Sequence, residues 1–145
     1  MEKVYGEYYY PGNEISLDLT PPNKFLLGKQ DSHGDVVDMN IFSEGTFNLE
    51  DNTIILSDST TQKNMLLQWL NEEKLIAIKI DSVMTGQTFL VWNKLYPNGG
   101  VKYSGGWENG KKEGIWQFYD EKGQSINMIL YSNDSIVDKD FKYKD

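Results

Sequence analysis

The sequence predicts an all-β protein: a small antiparallel barrel or strongly curved sheet, continued by β-hairpins. Three observations predict it. Apolar and polar residues alternate with a period of two through much of residues 1–95, as in Ile15-Ser16-Leu17-Asp18-Leu19-Thr20. Turn-forming residues interrupt that alternation at short intervals. From Tyr96 onward, turn dipeptides and aromatic residues recur at an offset of about two dozen residues, the mark of a repeat. The expected division is residues 1–95 as a β domain, 96–137 as hairpin repeats and 138–145 as a charged, solvated tail.

Taken in order, Val4 to Tyr10 is strand-like and stops at Pro11-Gly12-Asn13. Ile15 to Thr20 is ended by Pro21-Pro22-Asn23, because proline cannot donate to a ladder. Lys24 to Lys29 follows, with Phe25 and Leu27 on one face, and Gln30 to Asp35 reads as a polar loop. Val36 to Glu50 is a long extended segment with a bulge or bend expected at Gly45. Asp51-Asn52 turns the chain into Thr53 to Ser57, and Asp58 to Asn64 is a polar loop. Met65 to Leu70 fits both strand and helix periods; the turn-like Asn71 to Lys74 after it favours strand. Leu75 to Ile80, with Ile76, Ile78 and Ile80 on one face, and Thr88 to Leu95 complete about eight strands, the count at which an up-and-down sheet can close.

The chain has 145 residues, enough for one core. It has no cysteine, hence no disulfide, thiol nucleophile or thiolate metal site. Its formal net charge is -8, and every basic residue is lysine, which disfavours nucleic acid and anionic membrane surfaces as partners. No apolar run is long enough to span a membrane as a helix, so no membrane insertion is expected. The N-terminus lacks the apolar stretch of a signal peptide. The expected address is cytoplasmic if that end is native, and the cell envelope if an export signal has been removed.

The run Gly45-Thr46-Phe47-Asn48-Leu49-Glu50-Asp51-Asn52-Thr53-Ile54-Ile55-Leu56-Ser57, preceded by Gly6-Glu7-Tyr8 and Ile15 to Leu19, resembles the core hairpin of small lipocalin-like bacterial domains. Over residues 4–95 the resemblance implies a barrel or half-barrel of about eight strands, with no defined chemistry. Tyr103-Ser104-Gly105-Gly106-Trp107-Glu108-Asn109-Gly110-Lys111-Lys112-Glu113-Gly114-Ile115-Trp116 is similar to the MORN repeat, in the bacterial variant that opens on Tyr-Pro-Asn-Gly, here Tyr96 to Gly99. Asp120 to Gly123 repeats that opening, with Tyr119 in the place of Tyr96. A second copy is incomplete, with Asn127 for Tyr103 and Asp134-Ser135 for Gly110-Lys111. Bacterial proteins with such repeats are often labelled antitoxin-like, and eukaryotic arrays are linked to membranes and scaffolding. Lys111 and Lys112 balance Glu108 and Glu113 here, so lipid binding is not carried over.

Gly105 to Lys112 also contains a near match to a phosphate-binding loop, but Lys112 stands where a Ser or Thr should reach magnesium, and the flanks are strand formers. His33 between Ser32 and Asp35 offers the residue types of a triad, yet sequence neighbours rarely face one another in one. It is the only histidine, so no ordinary imidazole metal site exists. Asp18, Asp38 and Glu44 fall on polar positions rather than as a facing pair, and Asp31 to Asp35 lacks calcium-loop spacing.

The sequence therefore predicts no enzyme, no cofactor and no catalytic or metal-ligating residue. The expected function is binding, of another protein, through Tyr103, Trp107, Trp116 and Tyr119 on the hairpins. A structural role, covering the sheet, is the competing reading of the same residues. Two alternatives stand beside it. One is a small apolar ligand in the barrel mouth, lined by Phe47, Trp69 and Phe89; the other is an acidic immunity or antitoxin-type protein directed at a basic partner.

Overall fold

The computed structural model describes residues 2–11, 14–33, 36–80 and 85–142. A 3-10 turn, Glu2–Val4, precedes twelve strands: β1 Gly6–Tyr10, β2 Ile15–Thr20, β3 Lys24–His33, β4 Val36–Glu50, β5 Thr53–Asp58, β6 Asn64–Asn71, β7 Lys74–Lys79, β8 Thr88–Leu95, β9 Val101–Glu108, β10 Lys111–Tyr119, β11 Ser125–Ser132 and β12 Ser135–Asp138. Each pairs antiparallel with the next, and β1 also pairs with β8. That one long-range pairing closes β1–β8 into an eight-stranded up-and-down barrel.

The barrel interior is filled by its own side chains. Tyr8, Leu17, Leu19, Phe25, Leu27, Phe47, Ile54, Leu56, Leu67, Leu75, Ala77, Phe89 and Val91 are all buried. At one end the 3-10 turn folds across the opening. There the Tyr8 hydroxyl donates to the Val4 carbonyl (2.9 Å) and the Tyr5 hydroxyl to the Pro22 carbonyl (2.7 Å). Lys94 is buried at the same end, and its ammonium donates to the carbonyls of Glu72 (2.8 Å) and Lys3. Burial pulls the Lys94 amine down to about 8, against a smaller upward pull from Glu72.

Four details depart from the sequence reading. The segment taken as a loop from Gln30 is the far end of the β3–β4 hairpin, with β3 running to His33. Gly45 is not a bulge: it is paired on both sides, and a Cβ there would lie 2.0 Å from the Ser57 carbonyl oxygen, so close backbone approach is what requires glycine. The bulge lies at Phe42, where the register slips opposite Leu27 and Gly28. On β7 the inward residues are Leu75 and Ala77, whereas Ile78 is exposed. Leu75 sits opposite Trp69 and Phe89, and that pairing fixes the phase.

The barrel does not end at β8. The residues of β8 that meet β7 are Thr88 to Leu90, and those that meet β9 are Asn93 to Leu95. One edge of β8 is thus shared, with β7 on its first half and β9 on its second. Strands β9–β12 leave the barrel at that point as a branch.

Candidate functional site

The branch is built on a 24-residue period. Asn109 and Gly110 have positive φ, and so do Asn133 and Asp134 at the equivalent turn. Asn tolerates the left-handed region that such two-residue turns demand, so the turn survives replacement of glycine by Asp134. The Tyr96 N–H donates to the Gly100 carbonyl and the Gly99 N–H to the Tyr96 carbonyl; Asp120, Gln124 and Gly123 repeat both bonds. Structurally, Asp120 and not Tyr119 stands where Tyr96 stands. Tyr119 instead ends β10, and its carbonyl accepts a bond from the Tyr96 hydroxyl (2.7 Å). The near match to a phosphate-binding loop is a strand, a two-residue turn and a strand, with no helix after it.

Trp116 is the centre of the branch. It is fully buried, and its ring lies over Gly105, where a Cβ would sit 2.1 Å from the indole. Trp107 meets it edge-on at 5.6 Å, Tyr103 tilts against it at 5.9 Å, and Tyr131 meets it edge-on at 6.1 Å. Aromatic rings packed in this way on a sheet whose glycines leave gaps are cohesive, at roughly 0.5–1.5 kcal/mol per pair beyond area burial.

Two contacts fix this face against the barrel. The indole N–H of Trp107 donates to the Val91 carbonyl of β8 (2.6 Å). Lys112 on β10 forms an ion pair with Glu73 in the β6–β7 turn (2.5 Å), and the same ammonium lies over the rings of Trp116 and Tyr131. A cleft of about 440 Å³ remains between branch and barrel, bounded by Lys74, Trp107, Tyr131 and Ile136.

No protein-family model, curated protein or solved structure matches this chain.

Of the four residues expected to bind a partner, Tyr103 and Trp116 are buried and present no surface. Packed in the common core and against one another, they hold the branch together, the structural role weighed for them above. Trp107 and Tyr119 are half-buried. Phe47 and Phe89 belong to the packed barrel core, and Trp69 is half-buried with the Lys3 ammonium 4.1 Å from its ring centroid. In that core the Phe47 ring meets Tyr5, and Phe89 meets Tyr10. The side chains of Asp31, Ser32, His33, Asp35 and Asp38 lie outside the described residues, and Glu44 is exposed. Among the described residues no group of three or more acidic or imidazole side chains gathers to hold a metal.

What the sequence reading passed over is the last strand. In β12, Ile136 is 57% exposed and Val137 60% exposed. Among the described residues β12 is the one strand with a single neighbour, so its outer edge offers unpaired backbone groups. Sheet edges are usually blunted by proline or inward charge. The strand Ser135-Ile136-Val137-Asp138 has no proline, and its one charged residue, Asp138, stands at its end. In the sequence it is an apolar dipeptide after a hairpin turn, at the end of residues 96–137 assigned to the hairpin repeats. The chain past it is tied down as well: the Phe141 N–H donates to the Met128 carbonyl (3.0 Å), which lays residues 139–142 along β11.

Proposed function

We propose that this is a non-enzymatic binding protein and that the branch, above all the free edge of β12, is where it engages another protein. The observation that carries this reading is the contrast between the two sheet ends. The barrel spends β1 and β8 on closing itself, whereas β12 is left open with apolar side chains on both faces. An extended segment of a partner, added as a further antiparallel strand, satisfies the edge groups and covers Ile136 and Val137. The 24-residue period supports assigning β9–β12 to MORN-type repeats, in which each hairpin is a platform for the next. The acidic charge favours a partner with a basic surface, so an immunity or antitoxin-type role is a special case of the same reading.

The test is native mass spectrometry of the protein recovered from the lysate of its own organism, beside an Ile136→Lys, Val137→Lys double variant. Both positions are exposed, so the variant keeps the fold. A protein adduct present with the wild type and absent with the variant is the expected result. An adduct retained by the variant, or a bare chain in both, contradicts the proposal.

A further inference from the structure

We infer that the cleft between the 3-10 turn and the first turns of the branch is a binding site for a small zwitterion, with the chemistry of a free apolar α-amino acid. Its volume is about 570 Å³, within the range of small-molecule sites, which run from about 300 to 1,000 Å³. It lies outside the barrel core, and its far wall is supplied by the branch. Glu2 and Lys3 of the 3-10 turn form one side together with Glu72; Pro97, Asn98 and Glu121 form the other. The 24-residue period sets the turns of Asn98 and Glu121 side by side. The Asn98 amide donates to the Glu121 carbonyl (2.8 Å), while its oxygen accepts from the Gly100 N–H (2.8 Å). The bond from the Tyr96 hydroxyl to the Tyr119 carbonyl ties the same two turns again (2.7 Å). A wall fixed before binding leaves little ordering to offset the gain from a ligand.

The charges of the cleft are arranged by depth. Lys94, only 2% exposed, lines it from below. An ammonium has three N–H donors, and Lys94 spends two on the carbonyls of Lys3 and Glu72, which leaves one for the cleft. Burial, ahead of any neighbouring charge, is what lowers this amine to about 8, so at neutral pH it is a cation still short of a counter-charge. Lys102 lines the cleft as well, its ammonium 5.9 Å from the Tyr96 ring centroid. The third cation, Lys3, is already held by Asn52 and by the ring of Trp69. Lys94 and Lys102 are therefore the pair that meets a carboxylate. Nearer solvent stand the exposed carboxylates of Glu2, Glu72 and Glu121. The ion pair found among the described residues is elsewhere, between Glu73 and Lys112, so these three carboxylates are open to an ammonium. Leu95, Tyr96 and Pro97 supply apolar surface between the two charged levels. A plain anion would meet the rim carboxylates, and a plain cation the buried lysine; a zwitterion satisfies both. This site shares no residue with the β12 edge and does not rest on it.

The experiment is titration of the full chain at neutral pH with leucine, followed by backbone amide shifts in NMR. Two analogues serve as controls: 4-methylpentanoate, which lacks the ammonium, and 3-methylbutylamine, which lacks the carboxylate. Lys94→Met would strip the 3-10 turn of its anchor, so Lys102→Met and a Glu72→Gln, Glu121→Gln variant, all at partly or fully exposed positions, are used instead. The expected result is saturable leucine binding, with shifts at Leu95 to Asn98 and Glu121, and both analogues weaker by about tenfold or more. Lys102→Met weakens leucine and 4-methylpentanoate but not 3-methylbutylamine; the double-glutamine variant weakens leucine and 3-methylbutylamine but not 4-methylpentanoate. Absence of saturable leucine binding overturns the inference. So does either analogue binding as tightly as leucine, or leucine affinity unchanged in either variant.

Discussion

The Trp107 indole N–H donates to the carbonyl of Val91, 2.6 Å away, and the Val91 N–H in turn donates to the Glu73 carbonyl (2.9 Å). Val91 is therefore the fork: its N–H belongs to the barrel through the β6–β7 turn, and its carbonyl to the branch. Tryptophan reaches where a backbone partner would have stood had β7 continued. Trp107→Phe keeps the ring and removes the donor. It is expected to cost about 1–2 kcal/mol, measured by urea denaturation, because the carbonyl is left short of a partner.

Gly105 and Trp116 are a matched pair. Gly105→Val places methyl groups inside the indole, which is walled in by Trp107, Tyr103 and Tyr131. A loss of about 2 kcal/mol or more is expected. Trp116→Ala leaves a cavity in the same cluster and is expected to cost about 3–5 kcal/mol. Thermal melts of the two variants check both values. An unchanged melting temperature in either refutes the central place given to Trp116.

Asp18 and Glu7 face each other across β1 and β2, and Asn93 donates its amide to Glu7 (2.8 Å). Burial first, and the Glu7 charge second, push the Asp18 carboxyl up to about 6. The folded state thus holds this proton more tightly than the unfolded chain. The stabilisation is complete below the unfolded value of about 4 and is lost as pH rises through 6. Asp18→Asn is expected to stabilise the protein at pH 7.5 by roughly 1 kcal/mol after allowance for partial exposure, and to do little at pH 4. Urea melts at the two pH values decide it.

Much of this architecture is legible in the sequence, and the illegible parts have physical causes. Alternation locates β2, β5 and β8 because their flanking turns are strong, as at Asp51, whose φ is positive. It does not give the phase of β7, since Leu75 and Ala77 compete with Ile76 and Ile78 and only contact with Phe89 chooses the inner face. The pairing of β1 with β8 joins residues far apart in sequence, so no local pattern announces it. Nor does any pattern show β8 sharing one edge between β7 and β9. Without that fork, Tyr103 and Trp116 look like an exposed aromatic surface; with it, the barrel and the neighbouring rings bury them. The exposed surface falls to Ile136 and Val137, which are too short a run to attract notice.

The most direct test of the central claim is hydrogen exchange at the backbone amides of Ser135 to Asp138, with and without the protein captured by the wild type. Strand addition at β12 predicts that amides on the free edge exchange fast alone and become protected in the complex. Protection confined to the barrel, with β12 unchanged, would contradict it.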